Sequence, residues 1–468
     1  MSRPPCLATA SLALVAALAA SLAVASPSPR TIERAAPAAE PDKATPAPPE
    51  KVRIAPDEGG HATPPTFSFT GTYVAPWTAQ AARSIALGPD TTIPYMVAPV
   101  DPFDAGIYVW DAWPVRSPDG AIADIGGWSV LIALTAEQDP DARFPFYSRS
   151  TWRYYYTNGD RWLPGGVIFD RTEALGSRQW AGSTMYDPDS GSITFFYTAV
   201  GSPDAPNLAE DVPDRAFADN HPAAGRPDTT QRMAQVSATV SAGPNGVAFA
   251  DFGPHEIILE ADGEIYATAE AFVPDNVIYG MRDPEYWRDP QSGAEYILFT
   301  ANAAGFPSPH NGAVGVARRE GAGWQLQRPI LVAPGVSSQL ERPHIVERDD
   351  GLYLFFSTHA FTFADDLSGP EGLYGFWSPS GDLRGAWQPI NGHGLVAGNP
   401  PASPTQAYSY LALPDGHVMS YINTPYGFKA DPAEDRVMVG GPAPMFRIAL
   451  EEGKSTIVAS PAPTTGVE

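Results

Sequence analysis

The sequence predicts an all-β fold, read as a five-bladed β-propeller around a central axial pocket. Three observations point there. No long helical periodicity runs between Phe67 and Leu450, and 51 prolines and 43 glycines would break most long helices. A local pattern of polar residues among aromatics, an Asp/Gly-rich turn and an aromatic β-prone strand recurs five times. Radial repetition of such meanders solves the edge problem of isolated sheets. An ordinary sandwich using common hairpin turns also satisfies the pattern when it is taken alone.

The copies follow one another along the chain. In the first, Trp110-Asp111-Ala112-Trp113 precedes the turn Ser117-Pro118-Asp119-Gly120 and the strand from Trp128 to Leu134. In the second, Trp180-Ala181-Gly182-Ser183 precedes Asp187-Pro188-Asp189-Ser190-Gly191 and the strand from Ile193 to Thr198. The third runs from Arg282-Asp283-Pro284 through Asp289-Pro290-Gln291-Ser292-Gly293 to Tyr296–Thr300. The fourth runs from Glu341-Arg342-Pro343-His344 through Arg348-Asp349-Asp350-Gly351 to Leu352–Ser357. The fifth runs from Gln406-Ala407-Tyr408-Ser409 through Pro414-Asp415-Gly416 to Val418–Ile422. Each copy holds one hairpin signal. In a propeller the first strand of each copy lines the axis, and its polar residues converge there.

The ends differ in kind from this body. Arg3, the apolar run from Leu7 to Leu22 and the small-x-small Ala23-Val24-Ala25 give residues 1–25 the pattern of a signal peptide, so export, periplasmic or extracellular, is expected. The run is short for a membrane span. The only cysteine, Cys6, leaves with this segment, so no disulfide is expected. Residues 26–65, rich in Pro and Ala, read as a disordered linker, residues 66–450 as the catalytic domain, and 451–468 as a flexible tail. The net charge of -24 argues against nucleic acid and anionic membranes as partners. It suits a neutral substrate such as a sugar, and it equally suits plain solubility.

Three copies carry an acid outside the turns, where surface acids usually sit. Asp111 is flanked by tryptophans, Asp283 lies between Arg282 and Pro284, and Glu341 leads the fourth copy. Such acids are either structural ion pairs or parts of a site. A retaining glycosidase needs one ionised carboxylate to attack and one protonated carboxyl to donate. Aromatic flanks supply a wall for sugar faces. On this reading Asp111 is the nucleophile and Glu341 the acid/base, held protonated for its first step. Asp283 is kept permanently ionised by Arg282 and opposes the charge of the transition state. Arg342 need not share the face of Glu341, because successive strand residues face opposite sides.

Taken together, the motifs resemble glycoside hydrolase family 68, the family of levansucrases, inulosucrases and bacterial fructofuranosidases, in its Gram-negative branch. Trp110-Asp111-Ala112-Trp113-Pro114, Arg282-Asp283-Pro284 and Glu341-Arg342-Pro343-His344 carry the resemblance. So do Thr358-His359-Ala360-Phe361-Thr362-Phe363-Ala364-Asp365, Gly398-Asn399-Pro400 and Gln406-Ala407-Tyr408-Ser409. The resemblance implies a five-bladed propeller and a secreted, sucrose-active fructosyltransferase of the levansucrase type. Its partners would be sucrose and fructan or other sugar acceptors, with a mainly hydrolytic fructofuranosidase or a non-catalytic sugar-binding propeller as alternatives. It assigns Asp111, Asp283 and Glu341 to catalysis. Trp110 and Trp180 would wall the fructosyl site, Arg282, Gln339 and His359 would contact the sugars, and Tyr408 would bond among the carboxylates.

Two positions depart from the family pattern. Ala181 stands where a serine usually touches the nucleophile, so Asp111 is expected to lose a hydrogen bond and rise in pKa. Ser338 stands where metal-binding members carry an acid, so neither metal nor cofactor is expected. The second Arg-Asp-Pro, at Arg288-Asp289-Pro290, falls in a turn and reads as structural. A monomer is expected, with acceptor-side rim loops at 203–232 and 427–435.

Overall fold

The structure, a computed structural model, describes residues 74–96, 103–138, 150–159, 161–169, 173–176, 178–201, 230–268, 279–306, 308–424 and 438–458. The expected signal peptide and linker lie outside the described residues, as do 427–435 and most of 203–232.

A two-residue strand β1 (Ala75–Pro76) and a single helical turn α1 (Ala79–Arg83) open the described chain. Five antiparallel sheets follow, each made from consecutive strands. The first blade is β2 (Ile107–Pro114), β3 (Ser129–Glu137), β4 (Thr151–Thr157) and β5 (Leu163–Val167). The second is β6 (Arg178–Asp187), β7 (Ser192–Val200) and β8 (Gln231–Gly243), with β9 (Gly246–Ala250) and β10 (Glu256–Leu259) both pairing with β8. The third is β11 (Arg282–Arg288), β12 (Glu295–Asn302), β13 (Gly312–Glu320) and β14 (Gly323–Val332), to which β1 adds in parallel. The fourth is β15 (Glu341–Arg348), β16 (Gly351–Thr358) and β17 (Gly372–Ser378), with β18 (Gln388–Pro389) and β19 (Leu395–Gly398) both on β17. The fifth is β20 (Ala407–Ala412), β21 (His417–Ile422), β22 (Phe446–Glu451) and β23 (Lys454–Val458).

The chain is therefore a five-bladed β-propeller, and the five sequence copies supply the first hairpin of each blade in order. The innermost strands β2, β6, β11, β15 and β20 each touch their two neighbours around the ring. The sandwich alternative falls, because a sandwich has two facing sheets rather than five around an axis. The hairpin turns are built as the sequence suggested. Asp187 Oδ1 accepts from the Asp189 N–H at 3.0 Å and Asp289 Oδ1 from the Gln291 N–H at 2.9 Å. Both turns close on a glycine in the left-handed region, Gly191 (φ 67°) and Gly293 (φ 72°). Asp289 thus belongs to a turn, as its position in the repeat predicts.

One boundary moves. The expected tail from residue 451 is not all tail: Glu451 ends β22, and Lys454–Val458 pairs with it as the outermost strand of the fifth blade. Polar, β-branched Ser455-Thr456-Ile457-Val458 suits a half-exposed edge, which reads as tail when only hydrophobicity is weighed.

Between blades the core is aromatic. Trp152 packs between the first and second blades against Trp113, Phe195 and Tyr197. Trp77, fully buried, is inserted from the strap after β1 into the fourth blade, against Phe356, Phe363, Tyr374 and Phe376. His344 ties the fourth blade to the fifth. Its Nδ1 donates to the Arg342 carbonyl at 3.0 Å, and its Nε2 accepts from the Ala412 N–H at 2.9 Å. Burial pushes this imidazole down to about 3, so it is neutral. Among the described residues the first and fifth blades share no strand. Packing and a few hydrogen bonds join them, among them Gly441 N–H to the Val109 carbonyl at 2.6 Å.

Candidate active site

All five innermost strands slip register against their partners at one equivalent place: Trp110/Trp113, Trp180/Gly182, Arg282/Glu285, Glu341/His344 and Tyr408/Leu411. In four of them the second residue of the slip is left-handed: Asp111 (φ 41°), Asp283 (φ 60°), Arg342 (φ 52°) and Ser409 (φ 59°). A bulge of this kind breaks the alternation of faces and re-aims side chains. Two successive side chains per blade can then join the central cluster. The regular-strand argument that left Arg342 free to face away is corrected by this geometry.

The side chains meet in two layers. In one, Arg282 Nη2 donates to Glu341 Oε1 at 2.5 Å, and the Tyr408 hydroxyl donates to Glu341 Oε2. The His359 ring lies flat on Tyr408, centroids 3.6 Å apart, with its Nε2 3.6 Å from Glu341 Oε2. In the other layer, Thr300 Oγ1 donates to Asp283 Oδ2 at 2.8 Å, and the Asp283 N–H donates to Thr198 Oγ1 at 2.9 Å. The Arg342 N–H donates to Thr300 Oγ1 at 3.1 Å. The Arg342 guanidinium donates to Ser409 Oγ at 2.6 Å and to the Ala112 carbonyl at 3.0 Å. The Ser409 hydroxyl, held by Arg342, lies beside Asp111 and pulls its pKa down. Asp283 is buried, while Asp111 and Glu341 keep partial exposure, so the cluster opens to solvent on their side.

Arg282 does not serve Asp283 as the sequence suggested. Its Nε is 3.7 Å from Asp283 Oδ2, and its short bond goes to Glu341. Burial pushes Asp283 up to about 7 despite the pull of Arg282, with Glu341 and Asp111 adding to the rise. Burial also raises Asp111, opposed by Arg342 and by the bond from Ser409. At Glu341 burial acts in the same direction, but Arg282, His359 and the Tyr408 hydroxyl outweigh it and leave the carboxyl below its usual range. Contrary to expectation, the surroundings favour the charged form at Glu341 and disfavour it at Asp283 and Asp111. The three carboxyls titrate as a unit.

The remaining expected residues are placed as follows. Trp110 and Trp180 are buried on β2 and β6 at the slip itself, and Trp180 Nε1 has no partner among the described residues. Gln339 is buried in the turn before β15, its carbonyl accepting from Ser337 Oγ and Thr358 Oγ1, each at 3.1 Å. Ala181 is fully buried, and the hydroxyl that lies beside Asp111 belongs to Ser409. Sequence reasoning missed Arg342, Ser409, Thr198 and Thr300. A signal for the first two was present. Aligning the five copies puts Trp110, Trp180, Arg282, Glu341 and Tyr408 in one column, and Asp111, Ala181, Asp283, Arg342 and Ser409 in the next. The threonines lie on second strands, where nothing in the pattern marks them.

Comparison with known proteins agrees with this geometry. A family model described as levansucrase/invertase, glycoside hydrolase 68, matches residues 67–315 and 308–462. The chain is 31% identical over 424 residues to the levansucrase LscA of Pseudomonas savastanoi pv. glycinea, covering 81% of this chain and 93% of that one. It is 31% identical over 425 residues to a levansucrase of Rahnella aquatilis, with the same coverage. Among solved structures it is similar to an inulosucrase from Halalkalicoccus jeotgali bound to kestose, with 34% identity, a TM-score of 0.71, and 82% and 95% of the two chains covered.

Proposed function

Because this chain belongs to glycoside hydrolase family 68, the levansucrase/invertase family, we propose that it is a sucrose-active fructosyltransferase of the levansucrase type. The observation that carries the reading is the convergence of Asp111, Asp283 and Glu341, from three different blades, on one cluster braced by Arg282, Arg342 and Tyr408.

The reaction runs in two displacements. An Asp111 oxygen attacks the fructosyl anomeric carbon while the bond to the glucosyl oxygen breaks and Glu341 gives that oxygen its proton. Glucose leaves. An acceptor hydroxyl then attacks the same carbon, releasing Asp111 and returning a proton to Glu341. Asp283, between the two on the third blade, faces the positive charge that develops on the sugar. Glu341 must be protonated for the first step. A glucosyl oxygen entering beside Glu341 displaces the bonds from Arg282 and Tyr408 that favour its charged form, which raises its pKa toward that of a proton donor. Fructan or sugar as acceptor gives transfer, and water gives hydrolysis. Export rests on residues 1–25, and N-terminal sequencing of protein recovered outside the cytoplasm tests it.

The direct test is incubation with sucrose while free glucose and free fructose are assayed together. Glucose in excess of fructose means transfer, equal amounts mean hydrolysis, and release of neither overturns the reading.

A further inference from the structure

Glu371 sits just before β17, its side chain buried at 4% exposure. A carboxylate so placed needs a partner. Among the described residues its side chain makes one hydrogen bond, Oε1 accepting from His359 Nδ1–H at 3.2 Å, while Oε2 has none. His359 caps the turn Ala360–Thr362 and is stacked on Tyr408 and on Phe361, centroids 3.6 Å and 4.7 Å away. Its second nitrogen, Nε2, is 3.6 Å from Glu341 Oε2. One imidazole therefore spans two carboxylates, one inside the reacting cluster and one behind it. Which nitrogen of a histidine carries the proton is set by the bond its other nitrogen makes.

We propose that Glu371 is a positioning residue that fixes the Nδ1–H form and ring orientation of His359, so that Nε2 always faces Glu341 and the sugar oxygen bonded there. The role rests on the fructosyltransferase reading. Stacking alone fixes the plane of the ring but lets it flip by half a turn, which would exchange its two edges. The Glu371 contact removes that freedom. It acts on the proton-transfer group through His359 and touches no reacting atom.

The test compares Glu371→Leu and Glu371→Gln with His359→Ala and the double variant Glu371→Leu/His359→Ala on sucrose. Glu371→Leu should lower kcat/KM roughly 10–100-fold, the scale seen when the outer partner of a working histidine is lost. Glu371→Gln, whose amide oxygen still accepts from Nδ1, should recover most of it. In the His359→Ala background Glu371→Leu should cost nothing further. A loss of the same size in both backgrounds overturns the proposal, because Glu371 would then act independently of His359. A wild-type protein that cleaves no sucrose defeats the fructosyltransferase reading instead. The positioning claim is then judged by ¹⁵N imidazole shifts. A His359 that is Nδ1–H in the wild type and in Glu371→Gln but mixed in Glu371→Leu supports it, and an unchanged tautomer in Glu371→Leu overturns it.

Discussion

Asp111, Asp283, Arg342 and Ser409 occupy a region of backbone space that residues with a Cβ avoid, at a strain of about 1–3 kcal/mol each. That strain is concentrated where the charges meet. Asparagine tolerates the same backbone, so Asp111→Asn is a clean removal of the nucleophile. Sucrose cleavage should fall by roughly 10⁴-fold or more, measured as initial glucose release at matched circular dichroism. Ser409→Ala should lower kcat/KM by about 10–100-fold through loss of the hydroxyl that Arg342 holds beside Asp111, whereas Ala181→Ser should change it little. If Ala181→Ser were the larger effect, the Arg342–Ser409–Asp111 link would not be the one that matters. Asp283 gives a pH prediction. Its folded pKa, about 7, lies above its ordinary value of 3.8. Stability is therefore full below about 3.8 and is lost as pH rises through 7. Asp283→Asn should raise Tm more at pH 8 than at pH 5. The three carboxyls are coupled and Glu341 must be protonated to donate, so kcat/KM for sucrose should decline above about 7.

At the scale of the strand, much was legible in advance. The five copies marked the innermost hairpins because a strand at an axis must carry polar groups between aromatic neighbours, and Trp110-Asp111 or Glu341-Arg342 makes that combination visible. Outer strands such as β5, with Pro164-Gly165-Gly166, and β23 carry no such tension and were not marked. The bulge was illegible. It occurs at ordinary L-residues, without the glycine that usually announces a left-handed position, because tertiary contacts such as Asp283 N–H to Thr198 Oγ1 hold it. For that reason Arg342 and Ser409 went unassigned. His344 shows the reverse case, a motif residue whose work is between strands. Its folded pKa, about 3, lies below the ordinary 6.5, so stability is present above 6.5 and is lost as pH falls toward 3. His344→Gln should flatten that acid-side loss in thermal melts across pH 4–7, and an unchanged slope would assign the loss to other groups.

For the whole molecule, the strap that ends in Trp77 is as structural as any blade. Its indole fills the gap beside the fourth blade, and Nε1 donates to the His393 carbonyl at 3.1 Å. Trp77→Ala should lower stability by about 3–5 kcal/mol, read from denaturant midpoints, while leaving the carboxylate cluster and KM for sucrose nearly unchanged. The ring itself is closed differently from the blades. No sheet spans the first and fifth blades among the described residues; that joint rests on packing and on backbone contacts such as the Gly441 N–H to the Val109 carbonyl. A hoop fastened this way has a latch, and thermal opening is expected to begin there. The central cluster draws on both sides of the joint, Asp111 from one and Ser409 and Tyr408 from the other. A sugar lodged among them acts as a keystone, so substrate should slow unfolding as well as meet catalysis, and an idle enzyme should age faster than a working one.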